Sequence, residues 1–119
     1  MIAEINASFL AELLYGLDLR VALYTDKADV ARMTAYSSTG EVQGAGYKAG
    51  GQSLTLRYTP GADVLGFDPV MWKKSVITAR RALVYEVNGA RFASFDFGRN
   101  ESSIGDDFIL ELPELHLLR

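Results

Sequence analysis

The chain has 119 residues, 49% of them hydrophobic, a formal net charge of −3 and no cysteine. That length and apolar content suit one packed domain and are short for two. The acidic balance argues against a dedicated nucleic-acid binder, the missing cysteines exclude thiolate catalysis, thiolate metal sites and disulfides, and no apolar run approaches the ~18 residues of a membrane-spanning helix.

The opening stretch "MIAEINASFLAELLYG" carries no basic leader and no small-residue cleavage pattern, so a soluble chain without a secretory signal is expected. Asn6 is placed to cap a short helix over residues 7–15, with Gly16 just past its end. Ile5 and Leu10 take the two positions of a hydrophobic staple, and Phe9 and Leu13 form a stripe with Leu10 and Leu14 beside it. A helix this short is marginal alone. Its stripe must dock, either on the chain's own β-core or on a partner subunit. The expected division is a helical segment over 1–16 and a β-domain over 17–119.

In "DLRVALYT" Leu19, Val21 and Leu23 alternate with Asp18, Arg20 and Ala22, the period of a half-buried strand. "GAGYKAGG" suggests a phosphate loop, but Ala49 stands where G-x-G-x-x-G needs its last glycine and the lysine is misplaced for a Walker pattern. A flexible or tightly turning connection is expected there. "SLTLRY" puts Leu54, Leu56 and Tyr58 on one side, and "TPGADVLGFDP" reads as a turn cluster. Trp72 in "WKKS" is expected in the core, an exposed aromatic contact being the alternative. "SVITARRALVYEV" faces Ile77, Ala79, Leu83, Tyr85 and Val87 one way, and sets Arg80 and Arg81 on opposite faces. Arg81 interrupts the apolar side, so it is near a strand end, salt-bridged or at a subunit contact.

Asn88-Gly89 is a strong hairpin signal, since a type I′ turn needs φ > 0 at both central residues. It pairs Tyr85 with Phe92 and Leu83 with Ser94, and the mismatched polarity points to a bulge or a one-residue slip. "RFASFDF" aligns Ala93, Phe95 and Phe97, "GRNESSIG" reads as a turn cluster, and "DFILEL" aligns Phe108, Leu110 and Leu112. Asp96, Glu101, Asp106 and Asp107 surround that turn cluster and could converge at one end of a sheet, where hard oxygen ligands suit Ca²⁺. Their spacing matches no EF-hand, and no sequence feature indicates the cleft that a glycosidase carboxylate pair needs. A solvated loop is the plainer expectation. The lone His116 in "LPELHLLR" cannot build a triad or a multi-histidine metal site. Leu115 and Leu117 fall on one side of a last edge strand, with His116 and Leu118 on the other. Such an edge can pair across subunits or complete the monomer's core.

One helical segment followed by strands with turn-rich links predicts an all-β fold, an antiparallel β-sandwich or jelly-roll-like domain with one short N-terminal helix. The order of "RVALYTDKADV", "TAYSSTGEVQGAGYKAGGQSLT", "VMWKKSVITARRALVYE" and "ASFDFGRNESSIGDDFILELP" also resembles a group of small virion structural proteins of tailed bacteriophages. The resemblance spans about Val21 to Pro113. It departs from the group at Arg81, where glycine is common, and does not include the helical N-terminus. It implies a virion component, head- or tail-associated, assembled in the host cytoplasm, and carries over no catalytic or metal-binding residue.

The expected function is therefore a non-enzymatic structural role without a cofactor. The expected partners are other virion proteins and copies of the chain itself, not nucleic acid or membrane. Candidate partner contacts are Ile5, Phe9, Leu13, Leu115, Leu117 and Leu118. The alternative is a carbohydrate-binding or adhesin-like module stacking a glycan on Trp72, Tyr47 and Tyr58. A small hydrolase is disfavoured, because no nucleophile–base pair can be named.

Overall fold

The computed structural model describes residues 18–59, 64–87 and 91–116. Its strands are β1 (Leu19–Tyr24), β2 (Gln52–Ser53), β3 (Leu56–Thr59), β4 (Val64–Phe67), β5 (Val70–Glu86), β6 (Arg91–Leu110) and β7 (Leu115–His116). Every strand pairing is antiparallel, and the strands form two sheets, ordered β2-β1-β5-β6 and β3-β4-β7. The all-β expectation holds. Among the described residues the one helical element is a 3-10 turn at Val30–Arg32. The expected N-terminal helix with Ile5, Phe9 and Leu13, the Asn88-Gly89 turn, and Leu117 and Leu118 lie outside the described residues.

Two expected turn clusters are strands. Within "TPGADVLGFDP", Val64–Phe67 pairs residue for residue with Leu56–Thr59. "GRNESSIG" lies inside β6, which runs 20 residues opposite the 17 of β5. Its serines have cross-strand uses: Ser103 and Ser75 share a buried hydroxyl–hydroxyl hydrogen bond of 2.8 Å, and Ser102 lies 3.2 Å from the Thr78 hydroxyl. Its glycines, Gly98 at φ +79 and Gly105 at φ +82, lie within the strand as bends without reversing the chain.

The side of β5 that faces the core changes twice. Val70 and Trp72 are buried, then Ser75, Ile77 and Ala79, then Ala82 and Val84. Each change coincides with a shift in register against β6. At the first, Lys74 adopts φ +47, an uncommon value for a non-glycine residue. At the second, two steps along β5 from Ala79 to Arg81 correspond to five along β6 from Glu101 to Asp96. Ile77 and Ala79 therefore share a core with Ala82 and Val84, while Leu83 and Tyr85 point to the opposite face. The single apolar face expected from strict alternation is corrected by these bulges.

The same second bulge corrects the expectation for the two arginines. Arg80 Nε and Arg81 Nε both donate to the Asp96 carboxylate, at 3.1 and 3.2 Å, so they converge instead of parting. Arg81 is the salt-bridged residue among the three alternatives. Its Nη1 also donates to the carbonyls of Asp26 and Ala28, and Arg91 Nη1 donates to that of Ala31 at 2.6 Å. These bonds hold the segment around the 3-10 turn over Ala22, Tyr24, Leu83 and Tyr85, which form a second apolar cluster with Ala28 and Val30.

The main core gathers residues of both sheets: Leu19, Val21 and Leu23 from β1, Leu56 and Leu65 from the smaller sheet, and Trp72, Phe108 and Leu110 from the long strands. Ala93, Phe95, Phe97 and Leu112 pack half-buried on it, as their alternation predicts. The hairpin register opposes Leu83 to Ser94 as expected, but Tyr85 to Arg91 across a shift between Val84 and Tyr85. The glycine-rich connection packs tightly, one of the two expectations for it. A Cβ on Gly51, at φ +78, would lie 1.7 Å from the Val21 carbonyl oxygen, and one on Gly44 would lie 2.0 Å from that of Val76. These positions admit only glycine, because the backbone lies directly against the strands.

The facing set by the bulges separates neighbours. Ile77→Ala is expected to cost about 2–5 kcal/mol of stability, and Val76→Ala no more than about 0.5 kcal/mol. Denaturant unfolding of both variants checks it, and equal losses would contradict the facing described.

Candidate functional site

The most concentrated polar chemistry surrounds Glu41, which is only 6% exposed. Its residue bridges Tyr24 at the end of β1. One carboxylate oxygen accepts the Tyr36 hydroxyl at 2.5 Å, and the other accepts the Tyr47 hydroxyl at 2.5 Å and the Gly50 N–H at 2.9 Å. The cluster extends outward. Leu23 N–H donates to the Tyr47 oxygen, Tyr85 donates to the Gly50 carbonyl at 2.6 Å, Tyr24 donates to the Ser37 carbonyl, and the Tyr36 and Tyr85 rings stack at 4.9 Å.

Burial, and then the hydrogen bond to Glu41, push the Tyr36 and Tyr47 hydroxyls well above the ordinary tyrosine value. Burial and the Glu41 charge do the same for Tyr24, and burial raises Tyr85. All four phenols are therefore donors at neutral pH. Three hydrogen bonds converge on the Glu41 carboxylate, one on the first oxygen and two on the second. The cluster ties the connection over residues 36–50 to β1 and β5. Nothing in the local sequence marks it: Glu41 follows Gly40 in a turn-rich stretch, and its tyrosines come from three separate segments.

The expected acidic loop does not converge. Asp96 is held by Arg80, Arg81 and the Gly98 N–H, Glu101 by Arg99, Asp106 by the Ile104 N–H, and Asp107 by the Lys74 N–H. Each is anchored at its own place along β6. Among the described residues no three His, Cys, Asp or Glu groups come together to hold a metal ion.

An open groove of about 790 Å³ follows β6, with Phe95, Phe97 and Leu110 among its apolar lining and Asp96, Glu101 and Asp107 among its carboxylates. The Gly98 N–H and Arg80 hold Asp96 below the usual carboxylate range.

Trp72 is 1% exposed, between the rings of Tyr47 and Phe108, in the core as expected. Trp72 therefore offers no free face for stacking a sugar, and the half-buried Tyr47 is tied through its hydroxyl to Glu41. Of the six candidate partner contacts only Leu115 falls among the described residues. It sits opposite Leu65 in β7, an edge strand of the smaller sheet, half-buried against the main core. No helix among the described residues is long and apolar enough to cross a membrane. No family model, curated protein or solved structure matches the chain.

Glu41→Ala removes the acceptor of two hydroxyls and one N–H, and about 3 kcal/mol of stability is expected to go with it by denaturant unfolding. A phenol raised above its unfolded value of about 10 contributes stability that is full below that pH and is lost as pH rises towards the folded value. Stability should accordingly be flat from neutral pH to about pH 10 and then fall. In the milder variant Glu41→Gln, phenolate absorbance should appear at lower pH, because the adjacent charge is gone. An unchanged alkaline titration would show that Glu41 does not hold these protons.

Proposed function

We propose that the chain is a non-enzymatic structural component of a tailed bacteriophage virion, present in many copies and docked on the capsid or tail as a decoration, adaptor or fibre-associated protein. In this reading the two sheets act as layers of a β-sandwich, and function resides in the surface of a stiff framework. The sequence resemblance supplies the virion context. The supporting observation in the fold is the outward side of the β5–β6 hairpin, where Met71, Val76, Ile104 and Ile109 stand in water, Ile104 at 85% exposure. Exposed apolar groups gathered on one surface mark docking sites. Glu41 and Ser75, by contrast, are buried polar groups engaged in holding the fold.

Antibodies raised against the purified chain test this on particles from a lysate that contains the gene. Regularly spaced gold labels on intact virions, with peptides of the chain in the purified particles, are the expected result. Virions free of the chain would refute the reading.

A further inference from the structure

The outward face of the distal half of the hairpin has an order that its exposure alone does not explain. Val70 pairs with Leu110, Met71 with Ile109 and Trp72 with Phe108, and Val76 pairs with Ile104. Val70, Trp72, Phe108 and Leu110 are buried, so their neighbours Met71, Lys73, Asp107 and Ile109 point outward. The face therefore carries an apolar pair, then lysine on β5 beside aspartate on β6, then a second apolar pair beyond the Lys74 bulge. No ion pair among the described residues uses Lys73, Lys74, Asp106 or Asp107.

We infer that this face binds the same face of a second copy, across a two-fold axis lying in the contact plane, parallel to β5 and β6 and midway between them. That operation sets β5 of one copy over β6 of the other at the same height. Met71 then meets the partner's Ile109, Val76 meets the partner's Ile104, and Lys73 meets the partner's Asp107, each contact occurring twice as isologous symmetry requires. Aligned sheet packing of this kind brings alternate side chains into contact across about 10 Å, with the strands rotated by roughly 30°. Charge selects the occupant. Two lysines on one strand and two aspartates on the other give no net attraction for a nucleic acid or an anionic lipid surface, but they are complementary to their own image under this axis. The inference rests on the multicopy reading above for the nature of the partner, and adds the surface and the register.

The test uses the full chain in sedimentation equilibrium, beside Ile104→Lys, Lys73→Glu and Asp107→Lys, with thermal unfolding to confirm that each variant folds. All three positions are exposed, and folding is expected to survive; Asp107→Lys also gives up the acceptor of the Lys74 N–H, so its association is read only with its fold confirmed. The wild type should be a dimer at micromolar concentration and Ile104→Lys a monomer. Lys73→Glu and Asp107→Lys should each dissociate about tenfold more readily, since like charges now face each other. An equimolar mixture of those two variants should regain association, because each new charge then meets its opposite. A monomeric wild type, a dimer indifferent to Ile104→Lys, or a mixture that does not recover would each overturn the proposal. Labelled virions from a monomeric protein would sink this interface and leave the virion reading standing. A dimer absent from virions would do the reverse.

Discussion

The structure depends on β5 being paired along its length while the direction of its side chains is reset twice. A strand of this length that alternated strictly would present one face to one core throughout. The left-handed Lys74 and the three extra residues of β6 opposite Ala79–Arg81 break that rule. The stretch from Val70 to Ala79 then faces the main core with one side only, and the stretch from Ala82 to Tyr85 is covered on both faces, by the main core on one and by the segment around the 3-10 turn on the other. Bulges cost ladder hydrogen bonds locally but permit this double coverage. They also bring Arg80 and Arg81 to one carboxylate, from which Arg81 reaches back to fasten the covering segment.

Glu41 solves the complementary problem of a connection with little regular structure of its own. Residues 36–50 contribute no named strand, so their order must come from side chains and isolated backbone bonds. A buried carboxylate is costly unless it is hydrogen-bonded, and three donors reach Glu41. No cation is required, because phenols that stay protonated deliver the hydrogen bonds. Perturbed titratable groups often mark functional sites, but structural networks perturb them as well. Here the network ties residues 36–50 to β1 and β5.

Much of the fold is legible in the sequence wherever local pattern and tertiary role agree. Leu19, Val21 and Leu23 alternate and are buried as a set, and Phe108, Leu110 and the single tryptophan behave in the same way. The misreadings have one physical source. Gly, Asn and Ser in "GRNESSIG" prefer turns by local propensity, yet pairing with β5 draws them into a strand, and β-structure is especially open to such override. Ile77 and Ala79 face the core together as their spacing predicts, but the three extra residues of β6 opposite Ala79–Arg81 have no sequence signature, so the facing of Leu83 and Tyr85 was hidden. For the site, both the solvated acidic loop and its alternative, a convergence on Ca²⁺, assumed a loop where β6 runs as a strand. The tyrosine cluster was invisible because its members meet only once the sheet has formed.

The position of β6 decides how this framework can meet a neighbour. It is the outer strand of the larger sheet, and a long bare edge invites uncontrolled pairing. Here the edge is interrupted by Gly98 and Gly105 in left-handed conformations and carries Asp96, Glu101, Asp106 and Asp107 along its course. Bulges are a means by which proteins suppress strand addition, since an added copy would face a broken ladder. The flat of the hairpin has no such defence. Its apolar groups stand in cross-strand pairs with a lysine–aspartate step between them, so the chemistry that closes the edge to a second copy leaves the face open to one.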